Sequence, residues 1–244
     1  MVTGFMPQNA VYLNLLQISL PNNYNVERNY MTKIVAVNGS PRPNCNTAQM
    51  VKSAAKGAED KGAEVHYFDL YKLEKFTGCV SCFRCMKPES YGVCSCRDGL
   101  LPILDAIRQA DGLILGTPNY LGDISAGLRS LYERLIFQYI TYRSDGFFCN
   151  EHKIPVLFIM TSNAPMQMYA AGAPYEQVVK GYVDQLSNVI GPTELSIAPF
   201  TQQVKDYSKY SWNIMDVPAV EAYHETEFPK HLEDAYAKGA ALVG

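Results

Sequence analysis

From residue 33 onward, short apolar runs rich in β-branched residues alternate with longer segments whose apolar positions recur at helical spacing. Lys33–Asn38 reads as a buried parallel strand that ends at Gly39-Ser40-Pro41. Thr47–Lys61 then carries Ala, Met and Val on one helical face, and Gly62 stops it. The pattern continues with a strand at Glu64–Leu70, a helix at Leu100–Gln109 and a strand at Gly112–Gly116. A long amphipathic helix over Ser125–Tyr139 and a strand at Ile154–Met160 follow. The remainder predicts a helix at Tyr175–Val189, a fifth strand at Thr193–Ala198 and a closing helix at Phe228–Leu242. Thr201–His224 is rich in Tyr and shows no period. Strands separated by helices predict an α/β fold, a doubly wound five-stranded parallel sheet covered on both faces.

With 244 residues, 48% of them hydrophobic, the chain suits one elaborated domain over residues 31–244 better than two small ones. Residues 1–30 read as an appended arm. Ala10–Leu20 within it is apolar but has no basic flank before it and no small-residue cleavage site after it, so it does not read as a signal peptide. A net charge of −3 gives no reason to expect nucleic acid or an acidic membrane surface as partner. No apolar run approaches the ~18 residues of a membrane span. A cytoplasmic protein is expected. Of seven cysteines, five lie between Cys79 and Cys96, inside an irregular insert over residues 78–98. Without a secretion signal this points to a metal or to redox chemistry rather than to a disulfide framework.

The first strand runs into Asn38-Gly39-Ser40-Pro41-Arg42-Pro43-Asn44-Cys45-Asn46-Thr47, where a helix begins. Strand, polar loop and helix N-terminus make an anion site, because free backbone N–H groups and the positive dipole end face one point. Ser40, Asn46 and Thr47 can add side-chain donors, and Arg42 a full charge. The loop has neither the Gly-Lys-Ser/Thr ending of a nucleotide triphosphate loop nor the Gly-x-Gly-x-x-Gly pattern, so it favours a mononucleotide phosphate. A plain helix start capped by Asn44 or Cys45 is the simpler alternative. In doubly wound sheets ligands lie where the winding reverses, at the carboxyl ends of the strands. The third strand leads there into Thr117-Pro118-Asn119-Tyr120-Leu121-Gly122-Asp123, with Tyr120 a flat surface for a planar ring, and the fourth into Thr161-Ser162-Asn163.

Gly-Ser-Pro-Arg…Asn-Thr after the first strand and Thr-Pro-x-Tyr after the third resemble the NADPH-dependent FMN reductase family over roughly residues 32–165. That resemblance implies a flavodoxin-like strand order of 2-1-3-4-5. It also implies FMN, with the phosphate at Ser40, Arg42, Asn46 and Thr47. The ring would then lie near Pro118, Asn119, Tyr120, Leu121 and Gly122 and near Ser162 and Asn163. Arg129 stands where the family often has Lys, and members form dimers or tetramers.

Cys79-x2-Cys82-x2-Cys85 places three thiolates at the gaps that wrap one face of an iron–sulfur cubane, with Cys94 or Cys96 available as the fourth. Structural zinc more often takes two separated pairs. The run is similar to that of the iron–sulfur flavoproteins, a branch of the same family, which implies a [4Fe-4S] cluster on Cys79, Cys82, Cys85 and Cys94. The departure is the long insert Met86–Val93. An empty cysteine loop stays open as an alternative. His66, His152, His224 and His231 show no ligand spacing, and no catalytic acid or base stands out. The expected protein is an FMN-dependent NAD(P)H oxidoreductase, homodimeric or homotetrameric, passing electrons to a small-molecule or protein acceptor. A non-catalytic electron carrier fed by ferredoxin is the first alternative and a zinc-binding regulatory module the second.

Overall fold

In the computed structural model, which describes residues 31–244, five parallel strands form one sheet; the arm expected over residues 1–30 lies outside the described residues. The strands are β1 (Lys33–Asn38), β2 (Glu64–Asp69), β3 (Gly112–Pro118), β6 (Val156–Thr161) and β7 (Thr193–Ala198), in the order β2-β1-β3-β6-β7. This is the expected 2-1-3-4-5 order, interrupted in the chain by a separate hairpin, β4 (Ile140–Arg143) and β5 (Gly146–Phe148). The hairpin starts just where the Ser125–Tyr139 helix was expected to finish; the helix itself, α3, runs Ala126–Phe137.

Alternation along each strand sorts side chains to two cores. Val35, Val37, Leu113, Leu115, Phe158 and Met160 pack beneath α2 (Leu101–Arg108), α3 and α4 (Glu176–Val189). Ile34, Ala36, Ile114, Leu157 and Ile159 point the other way, beneath α1 (Asn46–Asp60) and α6 (Phe228–Ala241). Both faces being buried explains why the central strands read as continuous apolar runs rather than alternating ones. Helices α1 and α6 cross at near backbone contact: a Cβ on Gly239 would stand 1.9 Å from the Ala54 carbonyl oxygen. Glycine is required there by close approach.

The Tyr-rich stretch holds one helix that periodicity did not reveal, α5 (Val217–Thr226), capped by Asp216, whose carboxylate accepts from the Ala219 amide. Pro218 in its first turn suits a helix start, but only Val220 is buried, so no apolar stripe advertises it. Among the described residues, no helix is long and apolar enough to cross a membrane.

Candidate functional site

The loop after β1 is fixed from below by its own strand end. Asn38, fully buried, accepts from the Ser40 amide at 3.0 Å and donates to Asp69 Oδ1 on β2 at 2.8 Å. The Gly39 amide bonds the Gly116 carbonyl at 2.7 Å, and a Cβ on Gly39 would fall 2.8 Å from that same oxygen. Ser125, also buried, donates from Oγ to the Gly39 carbonyl at 2.5 Å and caps α3 by accepting from Leu128 N. One serine thereby ties the first loop to the helix after β3.

Helix α1 opens with no side-chain cap: Cys45 sits at the N-cap in extended conformation and accepts no first-turn N–H. Neither Asn44 nor Cys45 therefore supplies the plain cap that the sequence allowed. Ser40, Asn46 and Thr47 are all buried around this open end. Thr47 Oγ1 and Thr161 Oγ1 are hydrogen-bonded at 2.7 Å, one donating and the other accepting, which leaves one hydroxyl hydrogen of the pair free to donate elsewhere. Uncapped amides, buried hydroxyls and the dipole end together suit a phosphomonoester. Arg42 and Asn46 are engaged otherwise, with the carbonyls of Gln203 and Gln202 respectively, the latter at 2.8 Å. Those carbonyls belong to the Tyr-rich segment after β7.

At the neighbouring strand ends, β3 continues through Pro118, paired with Thr161, before turning. The turn Tyr120–Asp123 is closed by two backbone hydrogen bonds, with Leu121 at φ 58° and fully exposed and Tyr120 41% exposed. Asn119 holds the turn by accepting from Gly122 N at 2.9 Å while donating to Tyr169 Oη at 2.6 Å. Burial raises the Tyr120 phenol, opposed by the charge of nearby Arg42, so the ring loop and the phosphate loop are neighbours. Ser162, buried, bonds through its backbone to Ala198 and Thr201, and Asn163 is exposed beside it. An exposed Tyr–Leu surface beside an anion cradle suits a planar ring with a phosphate tail.

The cysteine insert has little regular structure, only two short 3-10 turns at Arg84–Met86 and Pro88–Ser90. Even so, Cys79, Cys82, Cys85 and Cys94 line one cavity, and Cys96 joins them. Burial, with the nearby Cys94 and Cys79 charges, pushes the Cys85 thiol up to about 11. Burial also raises Cys96, against the pull of Arg134. Among the described residues, no three His, Cys, Asp or Glu side chains are disposed around a single metal ion. The five thiols that line this cavity are a donor set of the kind that ligates iron–sulfur groups.

Helix α3 supplies what the loop lacks. Glu133 Oε2 accepts from Cys79 N at 3.3 Å, and Gln138 Oε1 from Cys94 N at 3.0 Å. Arg134, 2% exposed, grips both Asp98 oxygens at 2.6 and 2.7 Å and the Cys96 carbonyl at 2.8 Å. Arg134 Nε and Ser95 Oγ are buried with no partner, and both residues line the cysteine cavity. Unpaired buried donors next to thiols fit an anionic occupant. A hydrogen-bonded chain also joins the two regions: Asp123 to Tyr182 at 2.5 Å, Tyr182 to Arg129 at 2.8 Å, Arg129 to Glu133 at 3.1 Å, then Cys79 N.

A profile of NADPH-dependent FMN reductases matches residues 32–171, more than half the chain. The chain belongs to the NADPH-dependent FMN reductase family. The family match takes in the phosphate loop, the cysteine insert and both ring-side loops, but not Gln202 or Gln203. Among curated proteins, an iron-sulfur flavoprotein of Methanocaldococcus jannaschii is 35% identical over 102 residues, 42% of this chain and 51% of that protein. One of Methanosarcina thermophila is 29% identical over 104 residues, 43% of this chain and 52% of that protein. The chain thus spans about half the length of these relatives. Among solved structures, an azoreductase of Bacillus anthracis superposes with a TM-score of 0.61 at 15% identity, covering 86% of this chain and 100% of that one. An NAD(P)H:quinone oxidoreductase of Methanothermobacter marburgensis gives 0.59 at 14% identity, over 88% of this chain and 98% of that one. At such identities the likeness speaks for the fold.

Sequence reading missed Asn38, Ser125, Asp123, Tyr182 and Arg134. Arg134 had a signal: it stands between Leu131 and Leu135 on an apolar helix face, where a lone cation needs a buried anion.

Proposed function

We propose that this member of the FMN reductase family is an FMN-dependent NAD(P)H oxidoreductase that also holds a [4Fe-4S] cluster on Cys79, Cys82, Cys85 and Cys94. The observation that carries the reading is the open, uncapped start of α1, ringed by buried Ser40, Asn46 and Thr47 beside the exposed Tyr120–Leu121 turn. In this reading the first-turn amides of α1 and the hydroxyls of Ser40 and Thr47 bind the FMN phosphate. Arg42 adds its charge by giving up the Gln203 carbonyl. Tyr120 and Leu121 cover one side of the ring, and Asn119, locked by Tyr169 and Gly122, fixes the turn that carries them. Pro118, Ser162 and Asn163 border the same edge. Bound FMN would supply hydride acceptance from a nicotinamide and onward transfer of one or two electrons, so no side chain is assigned as acid or base. The names of the curated relatives and of the azoreductase and quinone oxidoreductase neighbours support this class. Assembly as a homodimer or homotetramer, and a cytoplasmic setting, belong to the same proposal.

Steady-state oxidation of NAD(P)H by FMN-loaded protein, with a quinone or a nitro compound as acceptor, tests it. Turnover supports the enzyme; absence of turnover with every acceptor contradicts it. One observation favours a second reading, an electron carrier serving a protein donor. Exposed Cys82 lies in a surface hollow with Arg84 and Arg97, a basic rim suited to an acidic redox protein. Reduction by ferredoxin, with no response to NAD(P)H, would decide for the carrier.

A further inference from the structure

We propose that Arg134 is the built-in counter-ion of the anionic, thiolate-ligated group in the cysteine cavity, and that its fixed charge sets the potential at which that group accepts an electron. This rests on the reading of the cavity as a cluster site.

Four observations carry it. Arg134 is 2% exposed, between the fully buried Leu131 and Leu135 on α3, a position where an aliphatic residue would pack at no electrostatic cost. Its charge is balanced by one carboxylate, Asp98, whose side chain is itself only 13% exposed. The ion pair and the Cys96 carbonyl occupy the two terminal nitrogens, the Cys94 thiol lies close enough to the guanidinium to interact with its charge, and Nε makes no hydrogen bond of good geometry. Ser95 Oγ is left in the same condition in the same cavity.

A residue serving only to staple the insert to α3 would be fully used by Asp98 and the loop carbonyls. Nε is instead spare, in a cavity that the Cys94 thiol also lines. Thiolate-ligated iron–sulfur groups carry net negative charge, and both fixed charge and hydrogen bonds to sulfur set their potentials. Uptake of one electron, supplied by reduced flavin or by dithionite, adds one negative charge. Arg134 stabilises that reduced form more than the oxidised one and so raises the potential. Asp98 opposes it. The two residues of one ion pair should therefore move the potential in opposite directions.

The test is a dithionite potentiometric titration of the whole chain, purified anaerobically and reconstituted with iron and sulfide, followed by electron paramagnetic resonance. Wild type, Arg134→Lys, Arg134→Gln and Asp98→Asn are compared, with iron and sulfide content and circular dichroism measured on each. The expected result is a negative shift in Arg134→Gln, a positive shift in Asp98→Asn and a potential near wild type in Arg134→Lys. If Arg134→Gln keeps its fold but holds no iron while Arg134→Lys holds it, the requirement for charge also stands. If Arg134→Gln does not fold, the positive shift in Asp98→Asn with an unmoved Arg134→Lys carries the decision. Shifts of the same sign, no shift, or equal loss of iron in Arg134→Lys and Arg134→Gln would overturn the inference alone. A wild-type chain that takes up no iron and sulfide would overturn the cluster reading beneath it.

Discussion

The phosphate loop and the cysteine insert are built in opposite ways. The first hangs from the sheet: Asn38 bonds Asp69 on the adjoining strand, Gly39 bonds Gly116, and Ser125 closes the arrangement from α3. The second hangs from a helix. Glu133, Arg134 and Gln138 of α3 hold Cys79, Asp98 and Cys94, and the loop contributes little regular backbone of its own. Left-handed backbone at non-glycine residues occurs in both regions, at Ser81 (φ 52°) and Phe83 (φ 56°) between successive cysteines and at Leu121 (φ 58°) on the ring side, and also at Phe200 (φ 50°) after β7. Such conformations cost of order 1–3 kcal/mol each and persist where their surroundings over-determine them. The sheet sets the shape of the first loop, and three side chains of α3 set that of the second.

The comparison breaks most sharply at the cysteines. Cys94→Ser should abolish iron and sulfide uptake, whereas Cys96→Ser should retain it, as measured by iron and sulfide analysis after anaerobic reconstitution; FMN uptake should be unchanged in both. Next in size, Asp98→Ala leaves Arg134 buried and unpaired. It should cost roughly 3 kcal/mol by denaturant titration, as removal of one partner from a buried ion pair does. On the phosphate side, Ser125→Ala removes a helix cap and the bond to Gly39, and should cost about 1–2 kcal/mol while weakening FMN binding and sparing iron content. Glu133→Ala cuts the chain between the two regions. With its side chain 38% exposed, the loss should stay under about 1 kcal/mol. Hydrogen exchange at the Cys79 amide should nonetheless quicken.

The smallest effect is on acid stability. Burial pushes the Asp98 carboxyl up, but hydrogen bonds from Arg134 and from the Leu100 and Thr77 amides outweigh it and hold it below the usual carboxylate range. A carboxyl lowered by folding adds stability that is present above its unfolded pKa, about 3.9, and is lost as pH falls through the lower folded value. Melting temperature should therefore fall below about pH 4 more steeply in wild type than in Asp98→Asn.

The sheet was legible because β1, β3 and β6 are buried on both faces and so write uninterrupted apolar runs into the chain. The hairpin β4–β5 was not. Tyr142 and Phe147 on it are exposed, so its aromatics carry no core signal. Helix α5, with one buried residue, was hidden for the same reason. At the site, residues whose chemistry shows in their type were found: the cysteines, the loop hydroxyls, Tyr120. Missed were those whose part depends on a distant partner, such as Ser125 to Gly39 or Tyr182 to Asp123, 59 positions apart. Periodicity cannot pair residues across that distance. Arg42 was right in type, yet its bond to Gln203, 161 positions away, lay beyond any local pattern.

Comparing FMN with riboflavin isolates the central claim, since the two differ only in the phosphate that the start of α1 is said to bind. Titration calorimetry of the ligand-free chain should give stoichiometric uptake of FMN and at least tenfold weaker uptake of riboflavin. Equal affinity for the two, or no uptake of FMN, would contradict the account.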